Sequence, residues 1–381
     1  MPLMQSPPGA YTVIDGRRYL YFAGTGYLGL QGHPEVIRAA CEATQQYGIG
    51  SANSRTAFGN LPPTLDVEHE AAAMLGVEDA FYFASGYVGN HILTLMLQDR
   101  FDAVFVDELS HYSVFEAARL SGRPVFRFRH CDPEHLAESL EIHLEPGQRP
   151  LVAGDGVFAA RGTIAPVAQY EAVLAEYPGA MLCLDDAHGL GVLGMEGRGT
   201  FEHAGLFDRG VNGYPDVSAD SSDGPRLFLC GTLSKAIGGH GGVISGSGDF
   251  IARLKSTSPY YGGASAPPVP AAAATARALE IVRTHPELRT RLWKNAEALK
   301  GGLCRMGLQA DDTPVPIVCL TLGDAENMQR IQRELMQRGI VIAYMAAYSG
   351  LGPEGALRLA VFATHTEEMI GQLLDELRRL V

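Results

Sequence analysis

Leu227-Phe-Leu-Cys-Gly-Thr-Leu-Ser-Lys235-Ala-Ile-Gly-Gly-His-Gly-Gly-Val-Ile244 starts as an apolar run of strand length and passes into a loop of small residues, with a lysine at the join. The chain has four lysines against 26 arginines. The other three, Lys255, Lys294 and Lys300, stand among charged and polar neighbours in stretches that read as helix faces. An amine beside a buried strand is costly unless it is neutralised or bonded. Enzymes use such desolvated lysines to form Schiff bases with carbonyls. An ordinary surface turn would account for the same residues, so this stretch alone leaves the choice open.

Upstream of it the pattern repeats. Strands are predicted at Ala80–Ala84, Ala103–Asp107, Pro124–Phe128, Leu151–Gly154 and Met181–Asp185, with helices between them at Tyr87–Gln98, His111–Leu120, Pro133–Leu144 and Ala165–Tyr177. Short apolar runs alternating with helical patterns imply an α/β fold with a mainly parallel sheet covered on both faces. Before this region, Asp15-Gly16 suggests a small hairpin within Tyr11–Leu30, followed by helices at Pro34–Tyr47 and Thr64–Leu75 and a Gly/Ser/Asn-rich loop between them. Asp208–Arg226 is polar and turn-rich and reads as a surface loop.

After Pro267-Pro268 come an Ala-rich helix to about Thr284 and another from Glu287 to about Met306. A smaller unit then reads as strand Pro316–Leu322, helix Ala325–Gln337 capped by Asp324, strands Val341–Tyr344 and Leu357–Phe362, and a final helix after Thr366. Three regions are expected. Residues 1–50 form an N-terminal segment packing with the small domain, 51–275 a large domain, and 276–381 a smaller C-terminal α/β domain.

The length of 381 residues suits two domains, and a hydrophobic content of 46% suits a packed core. A net charge of -13 with no run of five like charges argues against nucleic acid or a membrane surface as partner. The six cysteines form no CxxC, and Cys183, Cys230 and Cys319 fall in apolar runs, which reads as free thiols in a reducing compartment with no metal site. The N-terminus lacks the basic and apolar regions of a signal, and no apolar stretch reaches membrane-spanning length. A cytoplasmic protein is expected.

Three further stretches carry chemistry. Ser85-Gly86-Tyr87-Val-Gly-Asn90 follows a predicted strand and opens a helix, where small residues and the helix N-terminus favour an anion. Asp185-Asp186-Ala-His188 puts two carboxylates and an imidazole at the carboxyl end of a predicted central strand, the edge at which open α/β sheets bind ligands. An aspartate there can hold a proton on a ring nitrogen, or can cap a turn. His111, after Asp107-Glu-Leu-Ser, could stack on a flat ring, and Thr232 could bond a phosphate oxygen. A phosphate cradle, an acidic partner for a ring nitrogen, a stacking ring and a buried lysine are together the fittings expected for pyridoxal 5'-phosphate (PLP).

The chain resembles the α-oxoamine synthases, enzymes of the type I PLP fold. The resemblance runs from about Tyr19 to the C-terminus. It is carried by Tyr27-Leu-Gly-Leu, Phe83–Asn90, Asp107–His111, Asp185-Asp-Ala-His-Gly-Leu-Gly-Val-Leu-Gly and Gly231-Thr-Leu-Ser-Lys235. It implies a seven-stranded, mainly parallel sheet in a large PLP-binding domain plus a smaller C-terminal domain, in a homodimer. It further implies that Lys235 carries the cofactor as a Schiff base, that Asp185 pairs with the ring nitrogen and that His188 bonds the ring hydroxyl. His111 would stack on the ring, while Ser85, Gly86, Tyr87, Asn90, Thr232 and Ser265 would complete the cofactor site. Thr25 and Arg358 would lie on the substrate side, because a guanidinium grips carboxylate bidentately.

The reaction implied is decarboxylative condensation of an amino acid with an acyl-CoA or acyl-carrier-protein thioester. Three stretches depart from the family pattern: Ala23-Gly-Thr25-Gly26 lacks its asparagine, Phe158-Ala159-Ala160-Arg161-Gly162 lacks its serine, and Gly262-Gly-Ala264-Ser265-Ala is poorer in hydroxyls. The departures keep transamination, decarboxylation and retro-aldol cleavage open as alternatives. A PLP-binding protein without turnover is a further one.

Overall fold

The computed structural model describes residues 2–213, 224–346 and 351–381. The loop expected at Asp208–Arg226 therefore lies partly outside the described residues.

Thirteen strands are present among the described residues: β1 Tyr11–Ile14, β2 Arg17–Tyr21, β3 Asp79–Phe83, β4 Ala103–Asp107, β5 Val125–Phe128, β6 Pro150–Asp155, β7 Met181–Asp185, β8 Arg226–Thr232, β9 Gly242–Gly246, β10 Ile317–Leu320, β11 Ile340–Val341, β12 Ala343–Met345 and β13 Ala356–Ala360. Seven of them form the central sheet in the order β3-β9-β8-β7-β6-β4-β5. The pairs from β8 through β7, β6 and β4 to β5 are parallel. β9 is antiparallel to both neighbours, which makes β3 run in the same direction as β8. Six carboxyl ends thus face one edge. β4, β6 and β7 are buried along their whole length, as a sheet covered on both faces requires.

β9 and the helix Gly248–Thr257 after it are absent from the sequence-based expectations. Gly242-Val-Ile-Ser-Gly246 has glycine at both ends and too few side chains for a periodic signal. The glycines have a steric reason: a Cβ on Gly242 would meet Gly86 Cα at 2.6 Å.

The expected strand Val341–Tyr344 is two strands in two sheets. β11 pairs in parallel with β2, extending the N-terminal hairpin, while β12 pairs antiparallel with β13. This join holds residues 1–50 to the C-terminal region. A separate apolar core lies beneath it, where Leu20 and Phe22 pack with Leu299, Leu335, Leu359 and Leu373. The helix Val269–Thr284 spans the expected boundary at 275 and packs on the helices Pro34–Tyr47 and Pro62–Leu75. All six cysteines are free; Cys183 and Cys230 are buried, and Cys319 is only partly so. Among the described residues, no helix is long and apolar enough to cross a membrane.

Candidate active site

A cleft of about 190 Å³ opens at the shared carboxyl edge of the sheet, lined by Ser85, Gly86, Tyr87, His111, Ser113, Asp155, Val157, Ala159, Asp185, Ala187, His188, Thr232, Ser234 and Lys235. Each strand contributes where it ends. β3 leads to Ser85, whose hydroxyl caps the following turn by accepting from Tyr87 N. β4 leads to His111, the N-cap of the helix Tyr112–Leu120. β6 and β7 end on Asp155 and Asp185, paired in register, and β8 ends on Thr232.

The predicted helix at Tyr87 begins instead as a single 3₁₀ turn, Gly86–Val88, before the α-helix Gly89–Leu97. Gly86 packs so tightly on Thr232 that a Cβ would lie 2.6 Å from that side chain. Ser85, Gly86 and Tyr87 at this helix entrance line the cleft.

The two adjacent aspartates have separate environments. Asp185 faces the cleft, and its carboxylate accepts from Asn90 Nδ2 at 2.7 Å, Ala187 N at 3.2 Å and Ser113 Oγ at 3.5 Å. Asp186 is fully buried and accepts from Thr200 N at 2.7 Å and Thr200 Oγ1 at 2.6 Å. It closes the Gly189–Gly199 loop and has no place on the cleft wall. Burial pushes its carboxyl up to about 6.

Asn90 likewise stands behind Asp185, outside the cleft wall, so it orients the carboxylate. Asp155 accepts from His111 N, and burial together with the neighbouring Asp185 charge holds its carboxyl well above the usual range. His111 Nδ1 meets Ser113 Oγ at 2.8 Å, and its ring lies edge-on to Tyr87.

Lys235, half-buried, differs from the other three lysines. Lys300, expected on a polar helix face, is only 5% exposed. Its ammonium is neutralised by Asp311 at 2.5 Å and bonded by Thr313. Lys255 pairs with Glu68 and Asp79, and Lys294 with Glu367. Lys235 has no carboxylate in ion-pairing range among the described residues; its Nζ lies 2.9 Å from His188 Nε2. Burial lowers its affinity for a proton, against the opposing pull of Asp185 and Asp155. Burial above all, with the Arg358 charge nearby, holds the His188 imidazole well below its usual pKa. Its Nδ1 meets Tyr27 Oη at 2.7 Å.

Besides Asn90, three predicted residues lie off the cleft wall. Arg358 donates to Ala159 O, Gly24 O and Tyr27 Oη, and of these partners only Ala159 lies on the cleft wall. Thr25 accepts from Tyr27 N through its carbonyl. Ser265 forms an isolated bridge with Ser54.

Asp155, Ser113, Ser234 and Tyr27 were not singled out from sequence as site residues. Asp155 had a usable signal, a carboxylate just past a predicted parallel strand, as at Asp107 and Asp185. Serines carry no such signal. Asp107, His130 and Cys131 also gather closely. There the Asp107 carboxylate is occupied by His130 Nδ1, Cys131 N and Leu109 N, which makes it a loop anchor.

A family model, aminotransferase class I and II, matches residues 20–377. The chain belongs to this family. Within it, the relatives are α-oxoamine synthases. The 8-amino-7-oxononanoate synthase of Cellvibrio japonicus is 36% identical over 375 residues, covering 98% of this chain and 90% of that one. That of Nitrosococcus oceani is 34% identical over 377 residues, covering 98% and 95%. Serine palmitoyltransferase from S. paucimobilis, solved with PLP and myriocin, superposes with a TM-score of 0.88 at 28% identity, covering 100% of this chain and 92% of that one. The 8-amino-7-oxononanoate synthase of Francisella tularensis, at 22% identity and a TM-score of 0.74, shares the fold.

The family is PLP-dependent, and the cleft fits that cofactor. It combines a helix entrance at Ser85–Tyr87, a carboxylate fixed by Asn90 and an amine with no carboxylate in ion-pairing range among the described residues.

Proposed function

We propose that this α-oxoamine synthase homologue is a PLP-dependent acyltransferase that condenses an amino acid with an acyl-CoA or acyl-carrier-protein thioester, with loss of CO₂. It would act as a cytoplasmic homodimer. The observation that carries the reading is Lys235: a half-buried amine, without a carboxylate in ion-pairing range among the described residues, on the wall of a cleft that also holds the fixed Asp185 carboxylate.

PLP bound there supplies an aldehyde that joins amines and a ring that takes up the electron pair released at the substrate Cα. Lys235 would hold the cofactor and, once displaced by the substrate amine, take the Cα proton as general base. A neutral amine suits both tasks. Asp185 would keep a proton on the ring nitrogen, because an opposite charge favours the protonated form. Asn90, Ala187 N and Ser113 hold that carboxylate in place. Ser85, Gly86, Tyr87, Thr232 and Ser234 would bind the phosphate, and His111 would cover the ring face. Arg358 would take the substrate carboxylate with the N–H groups it does not spend on Gly24, Ala159 and Tyr27.

Two observations support the homodimer. Phe58 is 88% exposed and Ile49 67%, apolar surface that a partner subunit would cover. Phe58 also lies in a loop tied to the Ser265 segment through Ser54 Oγ and Gly262 O.

The test is thiol release. PLP-loaded protein is given a panel of amino acids, serine included, with acyl-CoA and acyl-carrier-protein donors. Free thiol and CO₂ should appear only when both substrates are present. Amino-group transfer to the cofactor by an amino acid alone, with no thiol released from any donor, would overturn condensation in favour of transamination. The apolar Ala159 on the cleft wall is the observation that favours that second reading.

A further inference from the structure

We propose that Tyr27 is a positioning residue that fixes His188 as its Nε2–H tautomer and thereby makes Lys235 present a neutral amine. Four side chains form a line: Arg358 NH2 to Tyr27 Oη at 3.1 Å, Tyr27 Oη to His188 Nδ1 at 2.7 Å, and His188 Nε2 to Lys235 Nζ at 2.9 Å. A guanidinium can only donate, so Tyr27 Oη accepts from Arg358. Tyr27 is 0% exposed and has no third polar partner among the described residues. Were it also to accept from His188, its own proton would be buried without an acceptor, which carries the desolvation cost of an unmatched donor.

The phenol therefore donates to Nδ1. The single proton of the neutral imidazole then sits on Nε2 and points at Lys235. An ammonium has three donors and no acceptor, so it cannot receive that bond, whereas a free amine can. The charge of Arg358, on β13 of the C-terminal region, thus orders protons at a lysine of the central sheet.

The test uses protein without cofactor. In ¹⁵N-histidine-labelled protein, with His188→Gln to assign the signal, His188 should carry its proton on Nε2. In ¹⁵N-lysine-labelled protein four Nζ signals are expected, and Lys235→Ala assigns one. Tyr27→Phe removes the donor to Nδ1, which frees Nε2 to accept from an ammonium. The Lys235 titration should move to higher pH and His188 should lose its single tautomer. Asp185, Asp155, Arg358 and His111 also face this pair and are unchanged in the variant. A wild-type His188 protonated on Nδ1 would overturn the proposal, whatever becomes of the variant. So would a folded Tyr27→Phe protein with an unmoved Lys235 titration. The proposal rests on the reading of Lys235 as the cofactor lysine only for its consequence in catalysis. Both signals are read without PLP, so failure here leaves that reading standing. Failure of Lys235 to take PLP leaves the tautomer standing.

Discussion

Asp185 and Asp186 are chemically identical neighbours with opposite fates. β7 alternates its side chains across the sheet, and the turn that follows aims Asp185 into the cleft and Asp186 into the Gly189–Gly199 loop. The stretch Asp185-Asp186-Ala-His188 pointed to the pair, and only resemblance chose between them; the Thr200 hydroxyl that occupies Asp186 stands 14 residues away. The expected role gives a sharp outcome. Asp185→Asn keeps shape and removes charge, so it should still bind PLP through Lys235. Exchange of the substrate Cα proton, followed by NMR in heavy water, should fall about 10²–10³-fold or more, since a charge preorganised in a dry site is worth more than in water. Near-normal exchange would remove Asp185 from the ring nitrogen.

At the scale of elements, most of the parallel sheet was legible because β4, β6, β7 and β8 are apolar runs closed by turn residues. The glycine-bounded β9 was not, since its fit depends on Gly86 and Phe83 elsewhere in the chain. Nor was the break inside 341–344, where one continuous run serves two sheets. The site followed the same rule. Lys235 and Asp185, odd chemistry in an apolar setting, stand on the cleft wall, and Asp155, Ser113 and Ser234 come there through position alone.

The turn after β13 makes a prediction of its own. His365 is buried, with its ring stacked 4.1 Å from Phe22; Nδ1 accepts from Phe362 N, and Nε2 lies 3.1 Å from Tyr21 O. Burial depresses its pKa from 6.5 to about 4. A depressed folded-state value means that the contribution to stability is complete above the unfolded value and is lost as pH falls through the folded one. Denaturant unfolding should therefore show stability declining from about pH 6.5 toward pH 4, by up to ~3 kcal/mol. His365→Gln should flatten that part of the profile whatever its stability at neutral pH. An unchanged slope would assign the decline to other groups.

For the molecule as a whole, the N-terminal hairpin joins the C-terminal unit through β2 and β11, and the central sheet carries the cleft. Arg358, on β13, bonds Gly24 of the N-terminal region and Ala159 of the large domain. The proposed dimer would cover Phe58, so Phe58→Asp should shift sedimentation toward monomer at micromolar concentration. A wild-type protein that already sediments as a monomer would end that proposal.

The central claim, that Lys235 is the cofactor lysine, has a direct measurement. PLP-loaded protein is reduced with borohydride, digested with trypsin and mapped by mass. The label should sit on one peptide, Leu227–Arg253, with cleavage blocked at Lys235. A label on Lys255, Lys294 or Lys300 instead, or none at all, would contradict the account.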